Sequence, residues 1–241
     1  MRYDNICCGY FLERRNRFVA LAEIDGQTET VHVKNTGRCR ELLTPGAEVW
    51  LVRATLPGQK TEYGSINRRR GADKADSKRK TNFDLVAVRK GNGVLFNIDS
   101  QAPNKVVREW LEGQGFDRIL PEYRYGQSRI DFCLERGGER WLVEVKGCTL
   151  ERDGIGYFPD APTERGTRHL RELTAAVSEG WRAAVVFVMQ ADGMETVLPN
   201  TETDPAFAAA LEDAARAGVR NLSLPCHVEP DRLEIRTSEK I

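Results

Sequence analysis

Short apolar stretches broken by turn residues fill the first hundred positions. Residues 18–24 and 28–33 flank Asp25-Gly26, which predicts a hairpin. Residues 48–54 follow Pro45-Gly46, and residues 84–89 and 94–98 are joined by Lys90-Gly91-Asn92-Gly93, so each reads as a further strand. Residues 1–5 lead into a strand-like segment of their own. Five or six short strands without a long helix predict a small barrel of the oligonucleotide-binding (OB) type over residues 1–99.

The period changes after Ser100. Pro103 opens the helical spacing Val106, Val107, Trp110 and Leu111, which Gly113 and Gly115 close. Strands are expected at 119–125, 129–134 and 141–146, then a helix at 163–179 with the stripe Leu170, Leu173 and Val177 and a stop at Gly180. The unbroken apolar run 183–188 suits a strand buried on both faces. A helix at 204–217 and a strand at 221–224 complete an α-β-β-β-α-β-α-β series over residues 100–241. The expected fold class is therefore α+β or α/β, a small OB-like barrel followed by an αβββαβ domain.

Composition agrees with a folded globular chain: 40% of the 241 residues are hydrophobic and 30% charged. No apolar run approaches the ~18 residues a membrane span requires, and residues 1–5 do not read as a signal sequence. Six cysteines lack CxxC spacing, which favours reduced thiols and a cytoplasmic protein over disulfides or zinc. The formal net charge is zero, yet residues 53–90 hold eleven basic residues against four acids, while residues 192–241 hold five against ten. Arg68, Arg69, Arg70, Lys78, Arg79 and Lys80 form the densest part of the basic block. Such a block is either a solvated loop or a polyanion contact, because phosphate neutralisation depends on local charge.

Candidate chemistry lies between residues 128 and 146. If Gly137-Gly138 is a two-residue turn and Arg136 faces Glu139, paired residues have numbers summing to 275. Asp131 then stands opposite Glu144, their Cβ atoms roughly 5 Å apart, with Lys146 on the same face. Ile130, Phe132 and Leu134 would form the apolar face with Val145, Val143 and Trp141. Two carboxylates so placed repel by about 3 kcal/mol at an effective dielectric near 20. A proton, an ion pair with Lys146 or Arg129, or a hard divalent cation such as Mg²⁺ or Mn²⁺ would relieve this. An ion-paired sheet face without chemistry is the plain alternative. Two acids and a lysine on adjacent strands also suit phosphodiester hydrolysis, in which the acids hold metal and the lysine stabilises phosphate charge.

Asp131 with Glu144-Val145-Lys146 resembles the PD-(D/E)xK signature of restriction-endonuclease-like nucleases, with Ile130 where proline is usual. More extensively, the chain resembles the sugar fermentation stimulation protein A family. The matching segments are His32-Val-Lys-Asn-Thr-Gly-Arg38 with Leu42-Leu-Thr-Pro-Gly46, Lys78-Arg-Lys-Thr81, Asn104-Lys105 with Glu109, Ser128-Arg-Ile-Asp-Phe132, Glu144-Val-Lys146 and Phe158-Pro-Asp-Ala-Pro-Thr-Glu-Arg-Gly166. The resemblance implies an OB-type barrel, a nuclease-like domain, DNA binding and a regulatory link to sugar use. It adds Glu109 as a third acid, so that Asp131, Glu144 and Glu109 would hold Mg²⁺ or Mn²⁺. With the family match, Asn35 and Arg38 in one turn and Arg165 and His169 on the helix after Lys146 join the basic block as expected nucleic-acid contacts. A DNA-binding nuclease is the leading expectation, and a non-catalytic DNA-binding regulator on a nuclease scaffold is the alternative. Strand preference and oligomeric state, a homodimer included, are not legible.

Overall fold

The computed structural model describes residues 1–35, 37–54 and 81–241. Arg68, Arg69, Arg70, Lys78, Arg79 and Lys80 lie outside the described residues.

The N-terminal half is a barrel. Its strands are β1 (Ile6–Arg14), β2 (Val19–Ile24), β3 (Gln27–Val33), β4 (Glu48–Arg53) and β5 (Phe83–Arg89), with the short β6 (Leu95–Asn97) beyond. The order is β3-β2-β1-β4-β5-β6, and a parallel β3–β5 pairing closes five strands into an OB-like barrel. The expected hairpin forms β2 and β3, with Ile24 facing Gln27 and both turn residues at positive φ (Asp25 +52°, Gly26 +76°).

The second half is layered. A six-stranded mixed sheet runs β15-β14-β12-β9-β8-β7. Its strands are β7 (Arg118–Tyr125), β8 (Ser128–Arg136), β9 (Glu139–Cys148), β12 (Arg182–Met189), β14 (Arg220–Glu229) and β15 (Arg232–Ile235). Helix α1 (Ala102–Glu112) packs Val106, Val107 and Leu111 on one face, against Phe132, Leu134 and Val143. On the other face lie α2 (Glu164–Ser178) and α3 (Pro205–Arg216), packed on Ile130, Cys133, Leu142 and Val185. Thr163 caps α2 by accepting the Gly166 amide, and Asp204 caps α3 by accepting that of Phe207. The parallel steps β9-α2-β12 and β12-α3-β14 explain the unbroken apolar run in β12.

Several elements escape the sequence pattern. A three-stranded sheet of β10 (Leu150–Arg152), β11 (Ile155–Phe158) and β13 (Thr196–Pro199) is too short and too exposed to carry a readable alternation. The last strand continues to Glu229 and pairs with β15. At the other terminus, the Tyr3 amide donates to Asp231 O and the Met1 amino group to Leu233 O. Residues 1–3 therefore attach to the second domain, and the barrel begins at Ile6.

The halves are joined through shared cores. Met189, Ala191 and Met194 fill the barrel interior beside Phe96 and Ile98. Among the described residues, no helix is long and apolar enough to cross a membrane. All six cysteines are free, and burial pushes the thiols of Cys39, Cys148 and Cys226 up to about 12.

Candidate active site

The Gly137-Gly138 turn places both glycines at positive φ, and β8 pairs with β9 in the expected register from Arg136–Glu139 to Phe132–Val143. The ladder stops there, one pair short of the acids. The Asp131 carboxylate replaces the next rung, accepting the Val145 amide on Oδ2 at 2.8 Å. Asn104, from the first turns of α1, donates to Oδ1 at 2.7 Å.

The expected alternation also fails at this point. Ile130 packs with Cys133 and Leu142 under α2 and α3, not with Phe132 and Leu134. On the neighbouring strand Leu120 and Tyr123, likewise three residues apart, face the same side. Between them Glu122 takes φ +52°, and its pairing with Asp131 is missing from the β7–β8 ladder. The pleat thus changes phase at Glu122 and Asp131 on adjacent strands, which aims the Asp131 carboxylate at α1 and the Val145 amide.

Glu144 is 3% exposed, and its two oxygens are used unequally. Oε1 accepts from Lys146 Nζ at 2.5 Å and lies 2.5 Å from His169 Nδ1. Oε2 is buried without a hydrogen-bond partner. Burial raises the Glu144 carboxyl, but the Lys146 ammonium and the His169 hydrogen bond outweigh it and hold the group below its usual value. Asp131 moves the other way: burial and the Glu144 charge raise it, against the Val145 amide, Lys146 and Asn104.

The remaining expected residues are only partly assembled here. Glu109 does not join the acids; it pairs with the Met1 ammonium at 2.7 Å, beside β15 at the far edge of the sheet. Asn104 is the α1 residue that reaches Asp131, because five helical residues separate the two side chains by about 140°. Its only sequence signal is its place in the family-like Asn104-Lys105 segment. His169 is 2% exposed and cannot touch a phosphate backbone; it binds Glu144, while Arg165 Nε donates to its Nε2 at 3.4 Å. Asn35 is occupied in the turn, donating to Ile98 O and accepting the Gly37 amide.

Arg38 lines an arginine-rich cavity of the barrel. Arg14 donates to the carbonyls of Arg17, Asn35, Gly37 and Arg38 and so holds this turn in shape. Around it a cavity of about 390 Å³ is lined by Arg14, Arg17, Arg38 and Arg40, with no acid among its lining residues. A second cavity of about 370 Å³ shares Arg17, Gly37 and Ala161 with the first and extends to Pro103 and Gly147. These two are the chain neighbours of Asn104 and Lys146 and lie on the α1 side of β9, whereas Asp131, Glu144 and Lys146 themselves line neither cavity.

A divalent cation suits this donor set in one respect: Glu144 Oε2 is a buried anionic oxygen with no partner, next to a second carboxyl. Among the described residues no three His, Cys, Asp or Glu side chains assemble around one point. Asp131 and Glu144 would therefore hold the ion with backbone oxygen or water completing its shell.

Two family models match the chain, "SfsA N-terminal OB domain" over residues 12–73 and "Sugar fermentation stimulation protein RE domain" over residues 101–232. The chain belongs to the sugar fermentation stimulation protein family. A homolog in that family from Desulfitobacterium hafniense (strain DSM 10664 / DCB-2) is 48% identical over 237 residues, covering 97% of this chain and 95% of the relative. One from Ruminiclostridium cellulolyticum is 43% identical over 245 residues, covering 100% and 99%. Among solved structures, Pyrococcus furiosus SfsA in complex with Ca²⁺ superposes with a TM-score of 0.79 at 28% identity, covering 98% of this chain and 95% of that one. The OB-like barrel and the mixed α/β nuclease-like domain are thus the family's architecture.

Proposed function

We propose that this family member binds DNA at the arginine-lined cavity and hydrolyses phosphodiester bonds at Asp131, Glu144 and Lys146. The observation that carries the reading is the unpartnered, buried Glu144 Oε2 beside Asp131, a poor arrangement for stability alone. The Pyrococcus furiosus relative in complex with Ca²⁺ supports a hard cation here. Asp131 and Glu144 would hold Mg²⁺ or Mn²⁺, which when bound supplies charge neutralisation at phosphate and acidifies water.

The chain's own groups have definite tasks in this reading. Asn104 and the Val145 amide fix the Asp131 carboxylate. Lys146, tethered to Glu144 and 13% exposed, presents an ammonium that stabilises charge developing on a phosphate. Arg17, Arg38 and Arg40 bind the strand by its phosphates, leaving base identity unread. Retreat of Glu109 to the N-terminus favours a second reading, a DNA-binding scaffold without turnover.

Incubating the protein with single- and double-stranded DNA and Mg²⁺ or Mn²⁺, beside Asp131→Ala, separates these readings. Metal-dependent cleavage that Asp131→Ala abolishes is expected. Binding without cleavage by the wild type, on either strand form and with either metal, would leave only the scaffold.

A further inference from the structure

The unequal use of the Glu144 oxygens has a source on α2. His169 is almost completely buried, and its two ring nitrogens face groups of opposite character: Nδ1 meets a carboxylate and Nε2 meets a guanidinium N–H. Arginine can only donate. With Arg165 Nε donating to it, Nε2 must present its lone pair, which leaves the ring proton on Nδ1. There it donates to Glu144 Oε1, the oxygen that Lys146 already contacts. Both donors crowd one oxygen and none reaches the other.

We propose that Arg165 and His169 form a tautomer lock that turns Glu144 so that Oε2 alone faces the cation. Both are positioning residues: neither touches the ion or the substrate, and they act through Glu144. A ring with a single proton matters because Lys146 Nζ and His169 Nδ1, each 2.5 Å from one oxygen, are close neighbours. A second full positive charge there would repel Lys146 and offset the negative charge that attracts a divalent ion. The alternative tautomer would aim a lone pair at the carboxylate and release Oε1, so the carboxylate could rotate. The arrangement also explains a contrast on α2, an exposed arginine and a buried histidine one turn apart.

The proposal rests on the reading of Asp131 and Glu144 as a cation-holding pair, and two measurements keep the ideas separable. The first uses metal-free protein: ¹⁵N imidazole shifts, readily assigned among three histidines, should show His169 as the Nδ1–H tautomer. The second measures Mn²⁺ affinity by calorimetry for two side-chain isosteres. His169→Asn puts an amide N–H where Nδ1 stood, whereas His169→Gln puts it where Nε2 stood. His169→Asn should stay within about threefold of wild type and His169→Gln should lose about tenfold or more, in the range seen when groups supporting a metal ligand are removed.

An Nε2–H ring in the metal-free wild type overturns the lock, as does a folded His169→Gln protein that binds Mn²⁺ like wild type. If both variants fail to fold, the wild-type tautomer and the Mn²⁺ affinity of Arg165→Met, expected to fall severalfold, still decide the matter. A wild type that binds no Mn²⁺ at millimolar concentration overturns the reading of the acid pair and the lock's purpose with it. A wild type that binds Mn²⁺ with the wrong tautomer overturns the lock alone.

Discussion

Asp131 and Glu144 share one site yet respond oppositely to proton binding. The Glu144 carboxyl lies below its usual value, so its ionised form adds stability above the unfolded-state pKa, and that stability is lost as pH falls through the folded value. Asp131 lies above its usual value; its contribution is fully present below the unfolded-state pKa and is lost as pH rises through the folded value. In metal-free protein near neutral pH, Glu144→Gln should therefore lower the melting temperature and Asp131→Asn should raise it. The amide introduced by Asp131→Asn can accept from Val145 and donate one N–H to Asn104 once the Asn104 side chain flips. Melting curves from pH 4 to 8 check this, with the Asp131→Asn gain shrinking toward acid pH. A loss of stability for Asp131→Asn at neutral pH would contradict the assigned direction.

Between elements, α1 sits tightly over β9 beside the site. A Cβ at Gly147 would overlap Gln190 Oε1 and come within 2.7 Å of Pro103 Cγ. Glycine after Lys146 thus lets the first turn of α1 sit down on the sheet, and that turn carries Asn104 to Asp131. Gly147→Ala should cost on the order of 1–3 kcal/mol of stability, as overpacking does. It should also weaken divalent-metal binding beyond what the stability loss explains, because Asn104 moves with Pro103. Chemical denaturation and metal titration on the same preparation test both; unchanged metal binding in a destabilised protein would separate α1 seating from the site. The β8–β9 hairpin is the contrasting case. Its turn and register are legible because Gly137-Gly138 and the alternating residues are close in sequence, whereas its phase change depends on Glu122 in another strand.

Across the molecule, a buried polar seam welds the barrel to the sheet. Asp99 accepts from Tyr3 and Lys34, Asn97 donates to Tyr3, and Gln190 donates to the carbonyls of Asn97 and Asp99. Burial and the Asp99 charge push the Tyr3 phenol up, so it remains a donor. With Met189 and Met194 inside the barrel core as well, the halves should unfold together. Calorimetric and van't Hoff enthalpies should agree for the intact chain, and two resolved transitions would count against a shared core. The same rigidity fixes the arginine cavity relative to the acids. Replacing Arg17 and Arg40 together by Ala should weaken DNA binding alike for all sequences and reduce the salt slope by about 1.5, since each lost phosphate contact removes about 0.7–0.9. An unchanged slope would mean that the strand takes another path.

Local sequence settles whatever neighbouring residues can decide among themselves: the Asp25-Gly26 and Gly137-Gly138 turns, the register that brings β8 and β9 together, and the helix starts at Thr163 and Asp204. These rest on backbone preference and on periods of two or 3.6 residues, which act over a few positions. Long-range packing is what puts Asn104 in place of Glu109 beside Asp131, moves Ile130 to the other face, turns His169 inward to Glu144, and gives Arg14 the distant carbonyls of Asn35, Gly37 and Arg38. Each of these depends on which distant segment fills the space beside a side chain and satisfies its polar atoms, and no local period encodes that choice.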